Sequence, residues 1–218
     1  MKAHALSSLL GALLLGAALP AQNPVCITGV LAPVPGPTIC QQGETHWFAA
    51  AGVYLKSSTV NLAAHVGSTV RIEGNDVGLL CHVIDVTQLF DPAPVVLVSC
   101  GSAMLGCGVR VRVNGPGLGF VLLAASTGRG YQPLGCGGAT LHGTVLLGQP
   151  IVTLVGQVDG NGTASALASI PPNPAFLGAQ LWFQGAHLPI GPVGALELSD
   201  VLQVIVAPLL PPCAPTNC

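Results

Sequence analysis

Val158-Asp-Gly-Asn-Gly-Thr-Ala-Ser-Ala-Leu-Ala-Ser-Ile-Pro-Pro-Asn-Pro174 runs directly into Ala175-Phe-Leu-Gly-Ala-Gln-Leu-Trp-Phe-Gln-Gly-Ala-His-Leu188. Asp159 to Gly162 has the composition of a tight turn, because Asp, Asn and Gly tolerate the left-handed backbone such turns need. Thr163 to Ser169 then reads as a small-residue strand. Ile170 to Pro174 reads as a proline-locked crossing, and Ala179 to Phe183 as a second strand, with Gln184 beyond it. Turn, strand, crossing, strand: this is an all-β chain, and nothing in the stretch is a catalytic motif.

Working outward, Leu196 to Leu198 and Val201 to Ala207 read as strands on one side. On the other side, so do Val95 to Ser99, Val109 to Val113, Leu118 to Ala125, Thr140 to Leu147 and Ile151 to Val158. Asn114-Gly115 predicts a hairpin between the second and third of these. Turn signals recur about every 8–12 residues, the rhythm of an antiparallel β-sandwich. Asp91-Pro-Ala-Pro94 is a natural linker, since proline restricts both itself and its predecessor. Before it come strands at Val25 to Leu31, His46 to Ala51, Gly52 to Leu55, Val70 to Glu73 and Leu79 to Val86. Asn61 to Gly67 is helix-compatible, with a glycine suited to a left-handed cap. The expected organisation is a barrel module over 22–92, a β-sandwich over 93–210 and a Cys-containing tail over 211–218.

The first module, with Leu62, Ala63, Val66, Gly67, Thr69-Val-Arg-Ile-Glu-Gly74 and Val83-Ile-Asp-Val86, resembles a small bacterial OB-like barrel over residues 25–90. That resemblance implies a fold used for oligonucleotide and oligosaccharide binding. The second half is similar to the C-terminal β-sandwich tail common in exported proteins of planctomycete-type bacteria. Val158-Asp-Gly-Asn-Gly-Thr-Ala164, Ile170-Pro-Pro-Asn-Pro174, Phe176-Leu-Gly178, Leu181-Trp-Phe-Gln-Gly185 and Leu198-Ser-Asp-Val-Leu202 carry this likeness. It implies a module and an export route, and brings no activity with it.

Export is also legible at the N-terminus. Lys2 and His4, the apolar run Ala5 to Leu19 and the small-residue site Leu19-Pro20-Ala21 read as a signal peptide over 1–21. The apolar run is too short and wrongly flanked for a membrane span, so no span is expected in the mature chain. All eight cysteines (Cys26, Cys40, Cys81, Cys100, Cys107, Cys136, Cys213 and Cys218) fall after it. On a secreted chain, periplasmic or extracellular, they are expected to be disulfides. Sequence proximity suggests Cys26–Cys40 or Cys40–Cys81, then Cys100–Cys107 and Cys213–Cys218.

Composition narrows function by exclusion. Charged residues are 6% of the chain and mean hydropathy is +0.69, which rules out disorder. Nine aromatics, eight cysteines and a proline-rich tail argue against a membrane β-barrel. Residues 22–92 hold Lys56 and Arg71 against Glu44, Glu73, Asp76, Asp85 and Asp91, so the module lacks the basic stripe that nucleic acid demands. Asp159 to Gly162 offers one carboxylate, too few for a calcium loop. Cys40, His46, Cys81 and His82 lack the paired spacing of a zinc site, and His65, His142 and His187 are scattered singly. No Gly-x-Ser-x-Gly elbow occurs. Gly115-Pro-Gly-Leu-Gly119 lacks the helix that a phosphate loop needs.

The expectation is therefore a non-enzymatic structural or interaction module with no cofactor and no metal. Its partners would be further copies of itself, other cell-envelope proteins or a glycan. The alternative is a glycan- or peptide-binding protein whose platform is Trp47 and Tyr54 on the first module, or Trp182 and Gln184 on the second. Core filling competes with that role for every aromatic.

Overall fold

The computed structural model describes residues 24–136, 141–149, 152–158, 162–190, 195–209 and 213. The expected signal peptide, Asp159 to Asn161 of the turn, and all of the 211–218 tail except Cys213 lie outside the described residues. The chain is all-β: the described residues form three sheets, with two short 3-10 turns between strands.

β1 (Val25–Pro33), β2 (His46–Phe48), β3 (Val53–Lys56), β4 (Thr69–Asp76) and β5 (Val83–Phe90) close into a barrel in the order β1-β2-β3-β5-β4. The β3–β5 pair is parallel and the other pairs are antiparallel. Period-two alternation drives closure: Val70 and Ile72 of β4, Val53 and Leu55 of β3, and Phe48 of β2 all point inward and are buried. Phe48 lies flat against Gly29 of β1, where any Cβ would collide with its ring. A 3-10 turn over Leu62–His65 buries Leu62 in this core. Gly67 ends it at φ +90°, the left-handed conformation foreseen there.

The remaining strands are β6 (Val96–Gly101), β7 (Gly108–Asn114), β8 (Gly119–Ser126), β9 (Arg129–Gly135), β10 (Leu141–Leu147), β11 (Val152–Gln157), β12 (Thr163–Ser169), β13 (Gln180–Pro189) and β14 (Leu196–Ile205). They form a six-stranded sheet, β11-β8-β13-β14-β10-β9, and a three-stranded sheet, β12-β7-β6. The first is antiparallel except for a short parallel β10–β14 pairing. Val109, Val111 and Val113 of β7 meet Val121, Leu123 and Phe183 across the sandwich. The other face of the six-stranded sheet covers the barrel, where Leu146, Leu147, Trp182 and Val201 join the barrel core. The molecule thus has three layers, and β13 is one of the two central strands of the middle one. Its residues 182–187 are buried without a break, the pattern of a strand covered on both faces.

Barrel and sheet are also tied directly. Thr144 Oγ1 donates to the Cys26 carbonyl at 2.6 Å, Thr28 Oγ1 donates to the Leu198 carbonyl at 3.3 Å, and Cys26 is disulfide-bonded to Cys136. Cys40–Cys81 and Cys107–Cys213 are further bridges, and Cys100 is also oxidised. Of the proximity pairings only Cys40–Cys81 stands. Cys26–Cys40, Cys100–Cys107 and Cys213–Cys218 are overturned, because the partners come together through tertiary contact between elements far apart in sequence. Such bridges belong to an oxidising compartment. Purified protein, denatured without reduction, is expected to show no thiol by colorimetric titration; two or more free thiols per chain would contradict these pairings. No helix among the described residues is long and apolar enough to cross a membrane.

Several local expectations change. Asn114-Gly115 does not make a hairpin: β7 pairs with β6 and β12, while β8 pairs with β11 and β13, so this turn crosses between sheets. β11 and β12, on either side of residues 159–161, likewise lie in different sheets. Leu79 to His82 is a loop and β5 starts at Val83. Asp76 Oδ1 accepts from the Gly78 and Val83 amides at 3.1 and 3.3 Å, closing that loop on itself. The two short strands expected at Leu196 and Val201 are one strand with a bulge, where Ser199 and Asp200 face the single residue Gly185. β9 goes unforeseen, since Pro133 and two glycines obscure it; as an edge strand it tolerates the proline.

Candidate functional site

The outer face of β2 and β3 is the best candidate. Inward Phe48, Val53 and Leu55 leave Trp47, Tyr54 and Lys56 outward. Trp47 and Tyr54 are direct cross-strand partners, with ring centroids 5.8 Å apart and planes within 18°. Both are half-buried. Loops 34–45 and 77–82 flank this face, and the Cys40–Cys81 bridge clips one to the other. Lys56 Nζ donates to the Gln42 carbonyl at 3.1 Å, pinning the first loop to β3. In the second loop, Asp76 Oδ2 pairs with His82 Nδ1 at 2.8 Å, and the His82 ring stacks on Tyr131 at 3.5 Å. Burial first, and the Asp76 charge second, hold the Tyr131 phenol above its usual range. Its hydroxyl approaches Asp76 without the alignment of a full hydrogen bond. Beyond these supports, Ile39, Leu79 and Leu80 stand 79%, 89% and 82% exposed.

The second half of the expected platform is overturned. Trp182 is buried and fills the space between sheet and barrel. Gln184 is buried as well, and its amide serves the backbone. Its Oε1 accepts from the Leu146 amide at 2.9 Å, while Nε2 donates to the carbonyls of Thr144 at 2.9 Å and Ser199 at 3.1 Å. Neither residue can meet a ligand in this fold. Trp47 and Tyr54 keep that possibility.

No family model matches the chain, and no curated protein matches it.

Other constellations resolve into structure. The Cys40 and Cys81 sulfurs are bonded to each other, so they are not thiolate ligands beside His46 and His82. Cys26 and Cys136 approach Glu73 closely enough to resemble a metal cluster, but their sulfurs are joined too. Arg71 links the modules, with Nη1 on Glu197 Oε1 at 2.9 Å and Nη2 on Glu73 Oε1 at 3.1 Å; its guanidinium also lies over the Phe90 ring. His142 Nδ1 is 3.8 Å from the same Glu197 oxygen, and His65 pairs with Asp91 at 2.7 Å.

Two buried titratable groups were not foreseen. His187 has no solvent exposure, and neither ring nitrogen has a well-aligned hydrogen bond among the described residues. Gly115 and Gly119 pack against its ring, which is what that glycine run is for. Burial lowers its pKa, partly opposed by the nearby Gly117 backbone and the Glu197 charge. Asp200 sits in the bulge of β14, and burial raises its carboxyl to about 6. The bulge itself was the missing signal: Leu198-Ser-Asp-Val-Leu places two polar residues between apolar ones, out of phase with a regular strand.

Proposed function

We propose that the chain is a secreted, non-enzymatic structural or interaction module of the cell envelope or extracellular space. In this reading its first half is an OB-like barrel. The strand order β1-β2-β3-β5-β4, the parallel β3–β5 pair and the turn between β3 and β4 support that identification. The oxidised cysteines support export. The observation that carries the interaction reading is the outward Trp47–Tyr54 pair, framed by two loops that a disulfide holds in place.

That same pair favours a second, sharper reading: the face binds a glycan. OB-type barrels present the β2–β3 face and the flanking β1–β2 and β4–β5 loops to their ligands. Aromatic rings stack on sugar faces, while the acidic balance of the barrel disfavours phosphate backbones. A closed barrel also leaves no free strand edge here for an added peptide strand, so a glycan fits better than an extended peptide. The test is binding to a panel of cell-wall polysaccharides by wild type and Trp47→Ala. Trp47 belongs to neither core, so the variant should fold normally. A loss of affinity of roughly tenfold or more is expected for a central aromatic anchor. Absence of saturable binding by the wild type, or unchanged binding by the variant, would remove the glycan reading.

A further inference from the structure

The strand pair that carries Trp47 and Tyr54 is flanked by β9, which touches the barrel twice. Tyr131 of β9 stacks on His82, whose carbonyl accepts the Tyr54 amide at 2.9 Å. Two residues earlier on β9, the Arg129 guanidinium lies against Gly52 in the β2–β3 turn. Gly52 has φ +70°, and a Cβ there would sit 2.9 Å from an Arg129 nitrogen. Glycine therefore both makes the turn and leaves the cation its place. Gly52 precedes Tyr54 by two residues, at most about 7 Å along the chain. Arg129 thus stands at the turn end of the aromatic pair.

Five lysines and arginines fall among the described residues. Lys56 is held by the Gln42 carbonyl, Arg71 by Glu73 and Glu197, and Arg110 by Ser165; Arg112 is engaged as well. Among the described residues, Arg129 alone is an exposed cation whose side chain has no hydrogen bond or ion pair. Its guanidinium is a planar fork of donors that matches a carboxylate with two parallel hydrogen bonds. The acids around the face are placed differently. Asp76 holds His82, Asp85 is the cross-strand partner of Lys56, and Glu44 Oε2 accepts from the Gln42 amide at 2.7 Å. Glu44 and Asp85 both belong to the Lys56 end of β3, four residues from Gly52 and roughly 13 Å away. One end of the face therefore accepts an anion and the other repels it.

We propose that the ligand of this face is an acidic polysaccharide whose uronate carboxylates are spaced by neutral sugars, Arg129 taking a carboxylate while a neighbouring sugar ring stacks on the Trp47–Tyr54 pair. This rests on the face binding a glycan at all, and names the class of glycan. Stacking on an aromatic ring does not separate neutral from acidic sugars, whereas a charge-assisted, two-pronged contact does. A polymer with a carboxylate on every sugar sets one of them against Glu44 and Asp85, so a dense polyanion binds less well than a spaced one. The same two acids keep the field over the face from being positive overall, so the contact selects among glycans at short range and does not steer them from a distance.

The test is calorimetric binding of the full protein to four probes. They are hyaluronan, in which uronate and neutral sugars alternate, the same polymer with its carboxyls reduced to alcohols, polygalacturonate, and neutral cello-oligosaccharides. Wild type is expected to prefer native over reduced hyaluronan by about tenfold or more, the scale of one charge-assisted contact. It should also prefer hyaluronan to polygalacturonate. Arg129→Gln, altered at an exposed side chain, should abolish the preference for the native polymer. Arg129→Lys keeps the charge but not the fork, and should restore only part of it. Trp47→Ala should weaken both forms alike. Equal, Trp47-dependent binding of native and reduced polymer would overturn the acidic class while the glycan reading stands, and so would Trp47-dependent binding of the neutral oligosaccharides alone. A preference that survives Arg129→Gln, or tighter binding to polygalacturonate, would overturn it as well. No saturable binding to any of the probes would remove the glycan reading and this inference with it.

Discussion

Replacing Gln184 with leucine is expected to lower the unfolding free energy by about 3–5 kcal/mol, a large share of the roughly 5–15 kcal/mol that holds a typical domain together. The reason lies in the six-stranded sheet. β10 and β14 pair only at Leu141↔Leu196 and His142↔Glu197, and beyond that β14 bulges away. The β10 backbone between Thr144 and Leu146 is then left without a strand partner on that side. The Gln184 amide reaches it from β13 and supplies both a donor and an acceptor, with Ser199 taking the second Nε2 proton. All these groups are buried. Leucine has similar bulk and is more apolar, but it would leave one amide and two carbonyls without those bonds in a dry environment. Each such loss costs about 1–3 kcal/mol, only partly offset by the more favourable burial of leucine. Urea midpoints for wild type and variant measure the effect. A loss below about 1 kcal/mol would mean that water or a shifted strand satisfies the seam, and the structural role given to Gln184 would fall.

Gln184 also shows where the sequence misleads. Trp-Phe-Gln at 182–184 reads as a sugar platform because an amide beside aromatics is a binding vocabulary. In the fold, β13 has a barrel on one face and a sheet on the other, so consecutive residues all go inward. Period-two reasoning assumes one wet face, and it fails for a strand that has none. The barrel was legible for the opposite reason: Val70-Arg-Ile-Glu73 alternates because one face is core and the other is not. Leu79 and Leu80 look like a strand start, yet the Asp76 carboxylate and the Cys81 bridge fold them out as a tip. Asn114-Gly115 announces a turn but cannot say which sheet each flank joins. Proximity reaches Cys40–Cys81 but not Cys26–Cys136, whose partners lie 110 residues apart and meet only through the packing of β1 against the sheet. Of the candidate site, Trp47 and Tyr54 were readable because both sit on a strand with a solvent face.

Asp200→Asn is expected to stabilise the protein at pH 7.5 by about 2–3 kcal/mol and to do nothing of the kind at pH 4. Asp200 Oδ1 accepts from the Leu97 amide at 2.8 Å, joining the six-stranded sheet to the three-stranded one. Burial is the larger influence and raises the carboxyl from 3.8 to about 6, against the lowering from the Leu97 amide and its own. A raised acid means the folded state holds the proton more tightly than the unfolded chain. The contribution to stability is therefore complete below about pH 4 and is lost as pH rises through about 6. Two pKa units at about 1.4 kcal/mol each set the scale. Asparagine keeps an oxygen for the Leu97 amide and never has to ionise. His187 acts in the reverse sense. Burial lowers its folded pKa, so its contribution is complete above 6.5 and is lost as pH falls through the folded value. Wild type is thus pulled down by Asp200 on the neutral side and by His187 on the acid side, which flattens its profile between them. Removing the Asp200 limb should leave stability that climbs with pH toward neutrality, the signature of His187 together with His46, whose pKa burial also lowers. Urea midpoints at pH 4, 5, 6 and 7.5 resolve the two limbs. Parallel wild-type and variant profiles would show that Asp200 ionises without hindrance, and the buried bridge between the sheets would need another explanation.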